Sequence, residues 1–239
     1  MAIEEIAAET DVLKKPEVKV ETDRIVSESQ EAITTAILKY GSLLDESTLL
    51  GMIQGAAFER IALDFIELHR IGYDSLDDKR QKLILENIRA KSIRNPDGII
   101  ARSGIEIYGV FEVKLDPIRD TNYRVSDQIK HFGENIWDAV QELRQQGKLD
   151  EITVVNPEEI KIVVIHPRSA KNEYVEMEIE ELSSGVLKGT KKGRSDIEYI
   201  FIPITKQEIV AFAKTIKDRV VDGLTDDVKC WIVPDEWVD

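Results

Sequence analysis

The sequence predicts an α/β fold: a mixed β-sheet flanked by helices, with an N-terminal helical extension. Three features predict it. Two apolar, β-rich runs, 98–101 and 105–113, flank the turn residues Arg102-Ser103-Gly104, the pattern of a hairpin. The run 160–167, IKIVVIHP, is apolar on both faces, as in a strand inside a covered sheet. Long stretches with apolar residues at helical spacing stand before and after the hairpin.

The elements follow in order. Residues 1–23 mix Glu, Lys, Ala and a proline without clear period and read as an acidic, loosely ordered leader. From Ser27 to Tyr40 a helix is expected, with Ala32, Ile33, Ala36, Ile37 and Tyr40 on one stripe and Gly41 as its stop. Asp45-Glu46-Ser47 offers a cap for a long helix from Thr48 to about His69. Residues 76–94 begin as helix, and 87–94 suit a short strand leading into the hairpin. A helix from Tyr123 to Gln146 carries Ile129, Phe132, Ile136, Val140 and Leu143 on one stripe. Strands are expected at 160–167, 174–179 and 197–204, and Thr205 caps a last helix to about Val221. The whole span 24–221 reads as one domain, with its core at about 50–170. Residues 222–239 read as an acidic tail packed on the body through Trp231 and Trp237.

Composition narrows the function. The single cysteine, Cys230, excludes a disulfide framework and any four-cysteine metal site within the chain. No apolar run approaches the ~20 residues that span a membrane, and the acidic N-terminus is unlike a signal peptide, so a cytoplasmic setting is expected. The net charge of −14 argues against contact with nucleic acid, but its distribution matters. Residues 1–50 hold 11 acids against 5 bases, and 222–239 hold 6 against 1. The stretch between holds 29 against 26. The acidic ends suit solubility, and the middle is nearly balanced. No glycine-rich phosphate loop and no nucleophile–histidine signature for acyl transfer is present.

The chemistry concentrates in NPDGIIARSGIEIYGVFEVKLDP, residues 95–117. Asp97 stands at the start of the first strand, and Glu112 and Lys114 at the end of the second. In an antiparallel pair those ends are adjacent, so the hairpin brings together two acids separated by 14 residues. Alternation puts Glu112 and Lys114 on one face and Phe111, Val113 and Leu115 on the other. Two carboxylates at one end of a hairpin repel unless something positive lies between them. A hard divalent cation is the ordinary answer, and magnesium takes one or two carboxylates plus waters and substrate phosphates; Mn2+ would substitute. Lys114 supplies a fixed positive donor near the same spot. A second concentration of charge, SSGVLKGTKKGRSD, holds Lys188, Lys191, Lys192 and Arg194 with no acid before Asp196. A flexible basic loop there suits contacts to a phosphate backbone.

Pro96-Asp97 followed by Glu112-Val113-Lys114 resembles the signature of the PD-(D/E)xK nuclease superfamily, whose members share the restriction-endonuclease-like fold. The resemblance covers roughly residues 50–170. It implies an Mg2+-dependent nuclease, an endonuclease acting on DNA, in which Asp97, Glu112 and the Val113 carbonyl hold the metal and Lys114 assists hydrolysis. It also implies a glutamate on the helix before the hairpin that reaches the metal. Gly55-x-x-x-Glu59 is similar to that helix, with Gly55 permitting close approach of another backbone. Gln128, on the helix after the acid-x-lysine strand, is similar to the glutamine of the exonuclease-type subgroup. That subgroup places a tyrosine where this chain has Phe132. A homodimer is common among members that cut both strands. The alternative is a nuclease-like domain that no longer cleaves and serves as a nucleic-acid- or protein-binding module. His131 is expected to be a surface residue, and His166 a structural or solvated one.

Overall fold

Apolar stripes at helical spacing and two-sided apolar runs sort the chain into helices and strands. In a computed structural model, the described residues are 14–15, 18–69, 71–74, 76–91, 95–115, 122–173, 177–182, 185–191 and 194–238. In chain order the elements are α1 (Thr22–Tyr40), β1 (Leu44–Asp45), α2 (Glu46–His69), α3 (Asp78–Arg89), β2 (Gly98–Arg102), β3 (Glu106–Val113), α4 (Asn122–Gln145), β4 (Thr153–Val154), β5 (Lys161–Pro167), β6 (Met177–Glu181), β7 (Leu187–Lys191), β8 (Arg194–Ile202), α5 (Lys206–Asp222), α6 (Asp226–Lys229) and β9 (Ile232–Val233). None of the described helices is long and apolar enough to cross a membrane. Where the sequence suggests one domain over 24–221, the contacts divide the chain into two units. One is Met1–His69 with Ile204–Asp239, and the other is Arg70–Pro203.

The first unit is helical. α1, α2 and α5 pack against one another. α1 buries Ile25, Val26, Ile33 and Ile37, and α5 buries Ile209, Phe212, Ile216 and Val220. α1 begins at Thr22, inside the segment expected to be loosely ordered, because Ile25 and Val26 extend its buried stripe. The stripe is also narrower than expected: Ile33 and Ile37 are buried, Ala36 is half-buried, and Ala32 and Tyr40 are exposed. Its end matches. Gly41 adopts φ 58°, a left-handed conformation glycine takes without strain, and its N–H donates to the Ile37 carbonyl at 2.8 Å. Asp45 caps α2, its Oδ1 accepting the Thr48 N–H at 2.6 Å. Thr205 caps α5 in a reciprocal arrangement with Glu208. The C-terminal tail joins by strand pairing: β9 runs parallel to β1, with Leu44 opposite Ile232. Trp237 does not anchor it and is 74% exposed.

The second unit is an α/β layer. Among the described residues its sheet has seven strands in the order β2-β3-β5-β8-β7-β6, with β4 added beside β3. β3, β5 and β8 run parallel, while β2, β7 and β6 are antiparallel to their neighbours. One face packs against α3 and α4. Ile99, Ile107, Val110, Ile162, Val164, Ile197, Tyr199 and Phe201 form one cluster with Ile84, Leu85 and Ile88 of α3 and Phe132, Ile136, Val140 and Leu143 of α4. This cluster explains a departure from expectation. Residues 87–89 continue α3 instead of starting a strand, because helical spacing carries Ile88 into the same core as Ile84 and Leu85. At the other end of the sheet β6 starts at Met177, and the earlier part of the strand expected at 174–179 lies outside the described residues.

Candidate active site

The hairpin β2–β3 turns through Ser103 (φ 52°) and Gly104 (φ 70°), and the Ile105 N–H donates to the Arg102 carbonyl at 3.0 Å. Two consecutive left-handed residues match the twist of the flanking strands. Ala101 then faces Ile107, but Ile100 faces Gly109, so Tyr108 is an extra residue on β3. This bulge shifts the face assignment by one position. Below it odd residue Ile107 meets the helix-covered core, and beyond it even residue Val110 does. Glu112 therefore shares the face of Val110. Gly109, the residue after the bulge, lets β5 approach closely, since a Cβ there would lie 2.9 Å from the Lys161 carbonyl oxygen.

Beyond the bulge the register runs Ile99–Val110 and Gly98–Phe111. One more step puts Asp97 opposite Glu112. The Asp97 N–H donates to the Phe111 carbonyl at 3.0 Å, and the Val113 N–H donates to Asp97 Oδ2 at 2.6 Å. The Asp97 side chain is thus held at the end of the second strand. Glu112 is 6% exposed. Its Oε1 pairs with the Lys114 ammonium, and its Oε2 is buried with no hydrogen-bond partner among the described residues.

The charges are poised accordingly. Burial, and then the neighbouring Asp97 carboxylate, push Glu112 up to about 7 despite the Lys114 contact. Burial also pushes Asp97 above the usual carboxylate range, outweighing Lys114, the Val113 N–H and Arg89. A carboxylate oxygen with no donor, beside a second acid that repels it, is the kind of site a divalent cation relieves. The donor set suits a hard cation: Asp97 and Glu112 would hold it. Among the described residues no group of three or more His, Cys, Asp or Glu side chains is placed to hold a metal, so waters or substrate oxygens would complete the shell.

The remaining expected residues are distributed as follows. Glu59 is half-buried on α2, in the first unit, whereas Asp97, Glu112, Val113 and Lys114 belong to the second. Gly55 is exposed, and a Cβ there would meet nothing within 4 Å, so no backbone closes on it. Gln128 falls within α4, but its side chain lies outside the described residues, as do those of Lys191 and Arg194 on β7 and β8; Lys192 lies outside them entirely. Lys188 is in β7 and not on a loop. Its ammonium sits 3.1 Å from Glu198 and 5.9 Å from the centre of the Tyr73 ring. Glu198 is 7% exposed and also holds Lys161 and the Tyr73 hydroxyl. The alternation signal of β8 places Glu198 on a buried face, but no local pattern names its partners on β5 and β7. His131 is exposed, and His166 is fully buried. Comparison with protein-family models, curated proteins and solved structures finds no match to this chain.

Proposed function

We propose that the chain is a divalent-cation-dependent nuclease that hydrolyses phosphodiesters in DNA, most simply as an endonuclease with a restriction-endonuclease-like core. One observation carries this reading. Asp97 and Glu112 meet at the end of the β2–β3 hairpin beside Lys114, with Glu112 Oε2 buried and without a donor among the described residues. The chemistry fits the arrangement. Bound Mg2+ would polarise the phosphate and make a bound water more acidic. Asp97 and Glu112, with the Val113 carbonyl as a further oxygen, would hold it. Lys114, whose ammonium lies beside Glu112, would stabilise a phosphate oxygen on which charge builds. With Glu112 pushed to about 7, the carboxyl sheds its proton near neutral pH as a cation arrives. Gln128 joins the reading as a contact to the substrate, and Lys191, Lys192 and Arg194 as contacts to the phosphate backbone.

The test is cleavage of supercoiled and linear DNA with Mg2+ by the wild type and by Lys114→Ala, with EDTA as control. Loss of cleavage in the variant supports the reading, whereas equal cleavage by both, or by neither, ends it. A second reading is favoured by the absence of a third ligand group among the described residues. It is a nuclease-like module that binds nucleic acid or protein without cutting. Calorimetric titration with Mn2+ separates the two: the binding-only module takes up no metal at Asp97 and Glu112.

A further inference from the structure

His166 is a titratable side chain that no step above uses, and it is fully buried. It ends the run Ile162, Val164, His166 on the helix-covered face of β5, and Val164 stands opposite Glu112. Its ring lies near-parallel to those of Tyr199 and Phe201, with centroids 6.2 and 6.0 Å away. Burial among rings fixes the plane of the imidazole. Its Nδ1 then sits 2.8 Å from the Lys114 carbonyl oxygen. A carbonyl oxygen can only accept, so Nδ1 carries the proton and donates in the neutral and in the charged ring alike.

Lys114 stands one residue past the end of β3. Its N–H donates to the Ile165 carbonyl at 2.9 Å, extending the β3–β5 ladder by one step. The two polar groups of the Lys114 peptide are thus both tied to consecutive residues of β5: the N–H to Ile165, the carbonyl to His166. The Lys114 side chain turns back to Glu112 Oε1. A lysine at a strand end has a long, mobile stem, and holding its ammonium on one oxygen costs conformational entropy. Fixing the main chain at its root removes part of that cost.

The geometry points to His166 as a positioning residue that anchors the Lys114 main chain so that its ammonium stays on Glu112. This inference builds on the hydrolytic reading but has a readout independent of it. The readout is the rate at which a small amine-acylating reagent labels Lys114, quantified by mass spectrometry against the other lysines of the same full-length protein. His166→Phe keeps a ring against Tyr199 and Phe201 and removes the donor. His166→Asn keeps a donor close to the position of Nδ1. Labelling of Lys114 is expected to rise severalfold in His166→Phe, with the other lysines unchanged, and to return toward the wild-type rate in His166→Asn. In a protein that cleaves DNA, His166→Phe should lower kcat roughly tenfold or more with little change in KM, and His166→Asn should recover part of it. An unchanged Lys114 rate in His166→Phe overturns the inference. So does a rise shared by all lysines, or a failure of His166→Asn to restore the rate. A wild type that cleaves nothing ends the hydrolytic reading and leaves the labelling result to decide the role of His166.

Discussion

The main-chain N–H of Val113 donates to Asp97 Oδ2 at 2.6 Å, joining the first residue before β2 to the last residue of β3. This bond separates the structural from the electrostatic role of Asp97. Asp97→Asn keeps an oxygen acceptor and removes the charge that pushes Glu112 up. It should retain or raise the melting temperature while abolishing Mg2+-dependent cleavage. Asp97→Ala leaves the Val113 N–H unmatched and should cost about 1–3 kcal/mol in a denaturant titration. Equal stability of the two variants would show that the bond contributes nothing.

Glu112 makes stability depend on pH. Its carboxyl takes a proton more readily in the folded chain, at about 7, than at its ordinary 4.5. The contribution is fully present below about 4.5 and is lost as pH rises through about 7. Without divalent cations the wild type should therefore lose on the order of 3 kcal/mol relative to Glu112→Gln between pH 4.5 and pH 8.5. Asp97 is raised as well and acts in the same direction. Denaturant titrations of both proteins in EDTA measure the difference. Mg2+ added at the higher pH should restore part of the loss in the wild type and none in Glu112→Gln.

Gly109 follows the bulge and lies against β5. A Cβ at this position meets the Lys161 carbonyl oxygen at 2.9 Å, a main-chain atom of the adjacent strand. Gly109→Ala should cost about 1–3 kcal/mol, and Gly109→Val more. Because the bulge sets which face Glu112 occupies, cleavage should fall further than the fraction of folded protein does. Circular dichroism and activity on the same samples test this, and activity that tracks folded fraction alone would refute it.

The lysines of the basic segment should separate into two behaviours. Lys188→Ala removes a cation from the buried Glu198 and a contact with Tyr73, and should lower stability by about 1 kcal/mol. Lys192→Ala should leave stability unchanged and weaken DNA binding, with a shallower dependence on salt. Thermal melts and fluorescence anisotropy with a labelled duplex in EDTA read the two effects independently. A salt slope unmoved by Lys192→Ala removes that residue from the interface.

Much of this was legible in local pattern. The turn at Ser103-Gly104, the two-sided run of β5, the caps at Asp45 and Thr205 and the stop at Gly41 all depend on residues within a few positions of one another. Other features were not. Residues 87–89, expected to begin a strand, continue α3 because Ile88 finds a core partly built by α4, remote in sequence. The bulge at Tyr108 and the close approach of β5 to Gly109 are tertiary facts. Lys188 looked like a mobile cation until β8 supplied Glu198.

The sequence by itself determined that two acids and a lysine meet at the open end of a hairpin, because strand alternation and a two-residue turn leave little freedom over so short a distance. Only the tertiary structure decided their state. β5 and the helix-covered core bury Glu112 and leave one of its oxygens without a donor. His166 fastens the lysine from another strand. The physical reason is range. Hydrogen-bonded local geometry is set by near neighbours, whereas desolvation depends on whatever the rest of the chain brings close.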